Sequence, residues 1–355
     1  MARDPLRIVV LGAGYFSQFH LAAWQRSHRT TVVGLCDVDL GKAESQAQAF
    51  DIPQVGANLE DLLERCSPDL IDIITPPSSH AVLVAAAARR GVAAICQKPL
   101  SNDLPEAERI VSMVEQAGSL LVVHENARWR PWFRKMAEMI NAGTLGHLHS
   151  IAFRLRPGDG QGADAYVARQ PFFRDMPRFL IHETGIHSID TFRFLFGEVT
   201  GVFARLRKIN PNIAGEDAGY VIFEFENGAT GLFDGNRCND HTADDLRLTM
   251  GEMLIEGSGG TLRLDGSAQL WHRPHLQDER QVPFHIPPDA QFGGGCVGAF
   301  QDSVVDHILD DTPLEQTARQ YLRNIEIEEA IYTSNRLGRW VSLRAATANM
   351  TEQTG

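Results

Sequence analysis

Residues 7–24 read RIVVLGAGYFSQFHLAAW, and the order of residue types in this stretch sets the fold. Arg7 to Leu11 is a short, mostly apolar run that suits a strand buried on both faces. Gly12-Ala13-Gly14-Tyr15-Phe16-Ser17 follows, and Phe19, Leu21, Ala22 and Trp24 then recur at helical spacing. Strand, glycine turn and helix in that order make a phosphate cradle. Gly12 permits the tight turn and Gly14 lets a pyrophosphate approach the main chain. Ser17, small enough to stand where Gly or Ala is usual, lets the helix pack on the strand with its N-terminus facing the phosphates.

Working outward, a second strand from Thr31 ends at Cys36 on Asp37, about 20 positions past the glycine loop. A carboxylate there accepts hydrogen bonds from ribose hydroxyls and repels a 2′-phosphate, which favours NAD over NADP. Helical patterns at 41–50, 59–65 and 79–90 then alternate with apolar runs at 70–74 and 92–96, the mark of a parallel sheet wrapped by helices. Thr75-Pro76-Pro77 stops one strand at its carboxyl end, where open α/β sheets bind ligands. Asp103 and Glu106 read as a capping pair for a helix over 104–117, and 120–123 is a further strand. The stretch AAICQKPL, residues 93–100, presents Lys98 just before Pro99. A lysine is costly at the end of a buried strand, and the position before proline is held extended, so Lys98 has little freedom to swing away.

From His147 the apolar period changes to two. Runs at 202–208, 220–225, 230–234, 246–255, 261–264 and 269–272 read as strands, with Asn227-Gly228 and Asp265-Gly266 as hairpin turns. The expected organisation is a dinucleotide-binding domain over 1–123, a substrate and oligomerisation domain with a large, mostly antiparallel sheet over 124–345, and a mobile tail over 346–355. The fold class is α/β, a Rossmann domain followed by an α+β domain. A late helix is expected over 317–337.

The chain has 355 residues, 43% hydrophobic and 22% charged, the balance of globular domains with ample core. Lys and Arg number 33 against 45 Asp and Glu, a net charge of −12 that disfavours nucleic acid and anionic membrane surfaces as partners. The five cysteines include no C-x-x-C pair, which suits reduced thiols in a cytoplasmic protein and gives no metal knuckle. No signal-peptide pattern opens the sequence, and no apolar run approaches a membrane span.

A second polar constellation lies at 180–197, LIHETGIHSIDTFRFLFG. Glu183, His187 and Asp190 stand at i, i+4 and i+7, so one α-helical face would carry all three. His182 and His187 are five apart, which turns them about 140° from each other on a helix of ~3.6 residues per turn and sets aside a zinc motif. A histidine with a carboxylate one turn earlier has the means to fix its tautomer, making His187 the best general acid/base in the chain.

Gly12-Ala13-Gly14, TPPSSH at 75–80, QKPL at 97–100 and ETGIHSID at 183–190 together resemble the glucose-fructose oxidoreductase, inositol dehydrogenase and rhizopine-catabolism (Gfo/Idh/MocA) family of sugar and polyol oxidoreductases, in order and spacing over essentially the whole chain. The resemblance implies a nicotinamide cofactor, a sheet domain that often mediates homo-oligomers, and a catalytic lysine and histidine that map onto Lys98 and His187. Cofactor contacts are expected from Gly12, Gly14, Tyr15, Phe16, Asp37, Thr75, Pro76, His80, Gln97 and Lys98. Two positions depart from the family pattern: Gln97 replaces the usual Glu before the lysine, and Glu183 replaces the usual Asp.

The expected chemistry is hydride transfer from a carbinol carbon to NAD, with His187 as the base, Lys98 stabilising charge on the oxygen and Glu183 gripping an adjacent hydroxyl. Asn126, Arg128, Trp129, Tyr166, Gln170 and Arg178 are the remaining substrate-contact candidates. The substrate is an aldose such as a pentose, branched ones included, or a hexose or inositol. The alternatives are an epimerase or glycosidase with transient oxidation, and a non-catalytic NAD-dependent sensor.

Overall fold

The computed structural model describes residues 4–287, 290 and 292–343, and the tail expected at 346–355 lies outside them. The described residues form two compact units. One runs up to Arg134 and includes Phe284–Glu326; the other holds Lys135–Pro283 and the residues from Ile327 on. Where the sequence pattern puts one cut after Val123, the first unit extends further and takes back a distant segment.

The first unit opens with β1 (Leu6–Leu11), α1 (Ser17–Arg26), β2 (Thr30–Cys36), α2 (Leu40–Ala49), β3 (Val55–Gly56), α3 (Leu59–Cys66), β4 (Leu70–Ile73), α4 (Pro77–Arg89), β5 (Ala93–Gln97), α5 (Leu104–Gln116) and β6 (Leu121–His124). The strands pair in parallel in the order β3-β2-β1-β4-β5-β6. This is the doubly wound order, with the chain reversing direction across the sheet beside β1. Side-chain caps start two of the helices: Asp103 accepts the Glu106 N–H at 2.8 Å, as the sequence suggests, and Asn58 accepts those of Glu60 and Asp61. Ile8, Val10, Leu35, Leu70 and Ile95 are all fully buried, each contributing roughly 1.5–3 kcal/mol through side-chain burial.

The second unit follows through α6 (Pro131–Asn141, whose first turn belongs to the first unit), β7 (Leu148–Leu155), a π-helical turn (Leu180–Gly185), α7 (Ile186–Phe196), β8 (Val199–Arg207), β9 (Ala218–Phe225), β10 (Thr230–Asn236), α8 (Leu246–Thr249), β11 (Gly251–Gly257), β12 (Gly260–Leu264), β13 (Leu270–Pro274) and β14 (Arg280–Val282). With β15 (Val341–Ser342), its sheet orders as β14-β13-β12-β11-β7-β10-β9-β8-β15. All pairings are antiparallel except β7 with β10. Ile151, Phe153, Val221, Phe223, Phe233, Met253 and Ile255 are buried, and Phe192 of α7 meets Phe223 edge-on at 5.4 Å.

The strand expected over 246–255 begins only at Gly251. Asp245 accepts the Arg247 N–H, nucleating the short α8, and Met250 ends it in the left-handed region. Two more helices complete the described chain: α9 (Phe292–Asp310), in the first unit, and α10 (Ala318–Leu337), which runs from the first unit into the second. Phe300, Val304 and Val305 of α9 join the core under β1 and α1. The start of the α9 range is a kink, not regular helix: Gly293, Gly294 and Gly295 have φ of 60°, 69° and 86°, values that other residues rarely adopt. Among the described residues, no helix is long and apolar enough to cross a membrane.

Gly12 carries the sharpest backbone constraint. Its φ is 104°, and a Cβ there would lie 2.7 Å from the Ile74 carbonyl oxygen and 2.9 Å from its carbon. Both segments are pinned, by Gly12 N–H to the Cys36 carbonyl and Ile74 N–H to the Leu11 carbonyl, each at 2.7 Å. Gly12→Ala is expected to cost about 1–3 kcal/mol in urea unfolding. Gly14→Ala, with nothing within 4 Å of the new methyl, should leave the midpoint near wild type.

Candidate active site

In the first unit the glycine loop is tied to the end of β2. Asp37 accepts the Ala13 N–H at 2.7 Å and the Asp39 N–H at 2.8 Å. The Ser17 hydroxyl donates to the Gly14 carbonyl at 2.7 Å, so the serine at this position closes the turn as well as being small. Gly14 and Tyr15 are exposed at the loop tip. Phe16 packs against Phe19, His20 and Phe292. The open space around Gly14, the N-terminus of α1 behind it and the Asp37 carboxylate at the end of β2 fit a dinucleotide: main-chain N–H groups for phosphates and an acceptor for ribose hydroxyls.

At the ends of β4 and β5, His80 acts as a brace. It is wholly buried, with Nε2 2.8 Å from the Thr75 carbonyl and Nδ1 3.1 Å from the Leu100 carbonyl. Burial holds its imidazole below the ordinary value, against those carbonyls, which raise it. Both ring nitrogens face main-chain carbonyls, one in the Thr75 loop and one in the segment after Lys98, and the neutral imidazole donates to one of them; a cofactor would be reached through those loops. Pro76 is exposed at the start of α4, and Thr75 accepts the Ser79 hydroxyl at 2.7 Å. Lys98 is half-buried, and its main-chain N–H donates to Gln97 Oε1 at 2.8 Å. After β6, Asn126 and Arg128 are buried, while Trp129 is half-buried with the Arg134 guanidinium 4.6 Å over its ring.

In the second unit the catalytic-helix candidate begins as a π turn. Glu216 anchors its start, accepting the Phe179 and Ile181 N–H groups at 3.2 and 3.3 Å and the Tyr332 hydroxyl at 2.6 Å. The turn spans Leu180–Gly185 and gives way to α7 at Ile186. This corrects the single α-helical face inferred from the i, i+4, i+7 spacing, because a π turn winds more residues per turn and shifts the register. Asp190 is fully buried, whereas Glu183 and His187 are half-buried. His182 is buried and its Nδ1 lies 2.7 Å from Glu328 Oε1.

Glu183 belongs to a polar cluster that no local pattern announces. Arg237, 1% exposed, donates to both oxygens of Asp159 at 2.7 and 3.1 Å, to the Thr184 hydroxyl at 2.6 Å and to Glu183 at 3.4 Å. Its guanidinium lies 4.6 Å over Phe179, 5.2 Å over Tyr166 and 5.5 Å over Phe173. Burial opposes the charge, and the carboxylates of Asp159 and Glu183 with the Tyr166 ring outweigh it, so the cation is held above its ordinary value. Tyr166 is buried in this aromatic cluster, its phenol pushed up chiefly by burial. Gln170 is half-buried ahead of the 3-10 turn Pro171–Asp175. Arg178 pairs with Glu329 and stacks 4.5 Å over Tyr332, apart from the Arg237 cluster. Asp159 and Arg237 thus join the candidate site residues, missed in the sequence because they meet only across a long separation.

Arg237→Met should cost about 2–4 kcal/mol in urea unfolding, less than the ~3–5 kcal/mol of a fully buried broken pair because Asp159 keeps 25% of its side chain exposed. Adding Asp159→Asn should return part of that loss.

Two family models match the chain: "Oxidoreductase family, NAD-binding Rossmann fold" over residues 6–125, and the GFO/IDH/MocA C-terminal domain over residues 133–263. The D-apiose dehydrogenase of Paraburkholderia graminis is 33% identical over 348 residues, 96% of this chain and 90% of that protein. The D-apiose dehydrogenase of Rhizobium rhizogenes is 28% identical, over 97% of this chain and 99% of its own length. Among solved structures, an oxidoreductase from Agrobacterium radiobacter in complex with NAD+, L-tartaric acid and magnesium superposes with a TM-score of 0.87 at 27% identity, over 96% of this chain and 98% of that one.

Proposed function

The chain belongs to the GFO/IDH/MocA family of oxidoreductases, and from that premise we propose that it is an NAD-dependent dehydrogenase of a sugar CH–OH group, with the branched pentose D-apiose as its substrate. The observation that carries the substrate is similarity to D-apiose dehydrogenases along nearly the full length of both chains, including the sheet unit.

Bound NAD supplies the hydride acceptor, held by the Gly12–Ser17 loop and Asp37. The anchoring of Asp37 on the loop N–H supports NAD over NADP, because a 2′-phosphate would meet a carboxylate that cannot turn away without releasing Ala13. His187 takes the proton of the reacting hydroxyl on its imidazole, and the ammonium of Lys98 stabilises the negative charge that develops on that oxygen. Glu183, set by Arg237 and Thr184, orients a neighbouring hydroxyl.

The test is NADH absorbance with D-apiose, other aldoses and inositols. Net NADH with D-apiose is expected, whereas a transient-redox epimerase or glycosidase would accumulate none. Lys98→Met should abolish turnover while NAD still binds, because the glycine loop and Asp37 hold most of the cofactor. His187→Asn should lose about 10²- to 10⁴-fold in rate together with the acid limb of kcat/KM, as removal of a positioned base requires. Retention of that limb in His187→Asn would assign the proton to another group.

The sheet supports self-association as well. Phe203, Ile222, Leu232, Ala152 and Leu254 stand in register across β8, β9, β10, β7 and β11. Ile222, Leu232 and Leu254 are exposed, as is Tyr220 beside them. An apolar row of this kind marks an interaction surface, and a second copy of the chain is its proposed occupant. Leu232→Glu should lower the mass measured by light scattering to that of a monomer.

A further inference from the structure

Asp72 is a carboxylate with no exposure in the middle of β4, LIDI, where every position is buried. A charged group in such a place is costly unless it is hydrogen-bonded. Its Oδ2 accepts the Trp24 indole N–H at 2.8 Å and faces His20 Nδ1 at 2.8 Å. His20 and Trp24 are one turn apart on α1, and both are buried. The other ring nitrogen of His20, Nε2, lies 3.2 Å from Gln97 Nε2, and Gln97 Oε1 accepts the Lys98 main-chain N–H.

The polarity of this chain is fixed from its ends. The Lys98 N–H can only donate, so the glutamine oxygen faces it and the amide NH2 faces His20. The amide can only donate there, so His20 Nε2 accepts and the imidazole proton sits on Nδ1, directed at Asp72. The Trp24 indole, also donor-only, independently makes Asp72 Oδ2 the acceptor. Every donor then runs one way: Lys98 N–H to Gln97, Gln97 to His20, His20 to Asp72. Aligned hydrogen bonds polarise one another, and this chain terminates on a carboxylate.

We propose that Asp72, His20 and Gln97 form a positioning relay that fixes the main chain at Lys98, so that the ammonium departs from a set origin; this rests on the reading of Lys98 as the group that stabilises the substrate oxygen. His20 and Asp72 have no exposure and cannot reach a substrate. They act through Lys98.

Two substitutions at His20 separate positioning from packing. His20→Gln sets a side-chain oxygen near the Nε2 position and keeps the acceptor for Gln97. His20→Asn reaches Asp72 but stops short of Gln97. His20→Gln leaves the buried Asp72 carboxylate only the Trp24 N–H, so its thermal midpoint should fall further than that of His20→Asn, which keeps a donor on that carboxylate. In turnover of D-apiose with NAD, His20→Asn should lose about tenfold or more in kcat, within the ~10²-fold that a 1 Å misplacement can cost, while KM changes little. His20→Gln should recover most of that loss. Gln97→Leu, at a half-buried position, removes both links without stranding a charge and should lower kcat with the midpoint nearly unchanged. Independently of activity, nitrogen NMR of wild type should find the His20 proton on Nδ1. A proton on Nε2, equal kcat for His20→Gln and His20→Asn, or wild-type kcat in Gln97→Leu would overturn the relay. Full turnover in Lys98→Met would instead overturn the role of Lys98 itself.

Discussion

The first unit depends on how closely the glycine turn lies against the end of β4. Gly12 has no side chain because the Ile74 carbonyl occupies the space that a Cβ would take. The approach is held by short hydrogen bonds on both sides, Gly12 to Cys36 and Ile74 to Leu11. With β1 seated between β2 and β4, α1 must start at Ser17 and descend across the sheet, which brings His20 and Trp24 over Asp72. The same turn sets Ala13 against Asp37. One steric constraint therefore orders the phosphate loop, the ribose acceptor and the buried carboxylate beneath the helix.

The second unit solves a different problem, holding a carboxylate at a half-buried position on an irregular turn. Glu183 accepts from Thr184 and Arg237, and Arg237 is set by Asp159 and by three aromatic faces. Guanidinium suits this place because its planar fork bonds Asp159 through two nitrogens while its faces lie on the rings. Glu216 controls the turn from its other end through main-chain N–H groups. Glu183 and His187 thus rest on a frame assembled from residues remote in sequence.

Much of this was legible locally. The glycine loop, the distance to Asp37, the Asp103 cap and the change of apolar period at His147 are signals carried by neighbouring residues, and local physics decides them. What the sequence did not disclose is of two kinds. Backbone irregularities form one: the π turn before α7, the short α8 begun by Asp245, and the left-handed glycines that launch α9 back into the first unit. Each is a small local preference resolved by tertiary packing. Partners across long separations form the other. His20 meets Asp72 from 52 positions away, and Arg237 meets Asp159 from 78. No periodicity encodes such a pairing, although an isolated Asp inside an apolar strand was a sign that a partner was needed.

Gln97 shows how a local departure from a family pattern can be settled by distant residues. In the sequence, glutamine for glutamate looks like the loss of a charge beside Lys98. In the structure its side chain turns to the lysine's main-chain N–H and to His20. A glutamate in the same pose would set a carboxylate oxygen against the unprotonated His20 Nε2, two acceptors face to face, which a second proton on the imidazole would have to relieve. The buried imidazole would then lie between two carboxylates, Asp72 and the new one. Glutamine avoids this by supplying one acceptor and one donor from a neutral group, matching Lys98 on one side and His20 on the other. The residue at 97, the proton position on His20 and the buried charge at 72 therefore form one choice, and altering any of them changes what the other two must do.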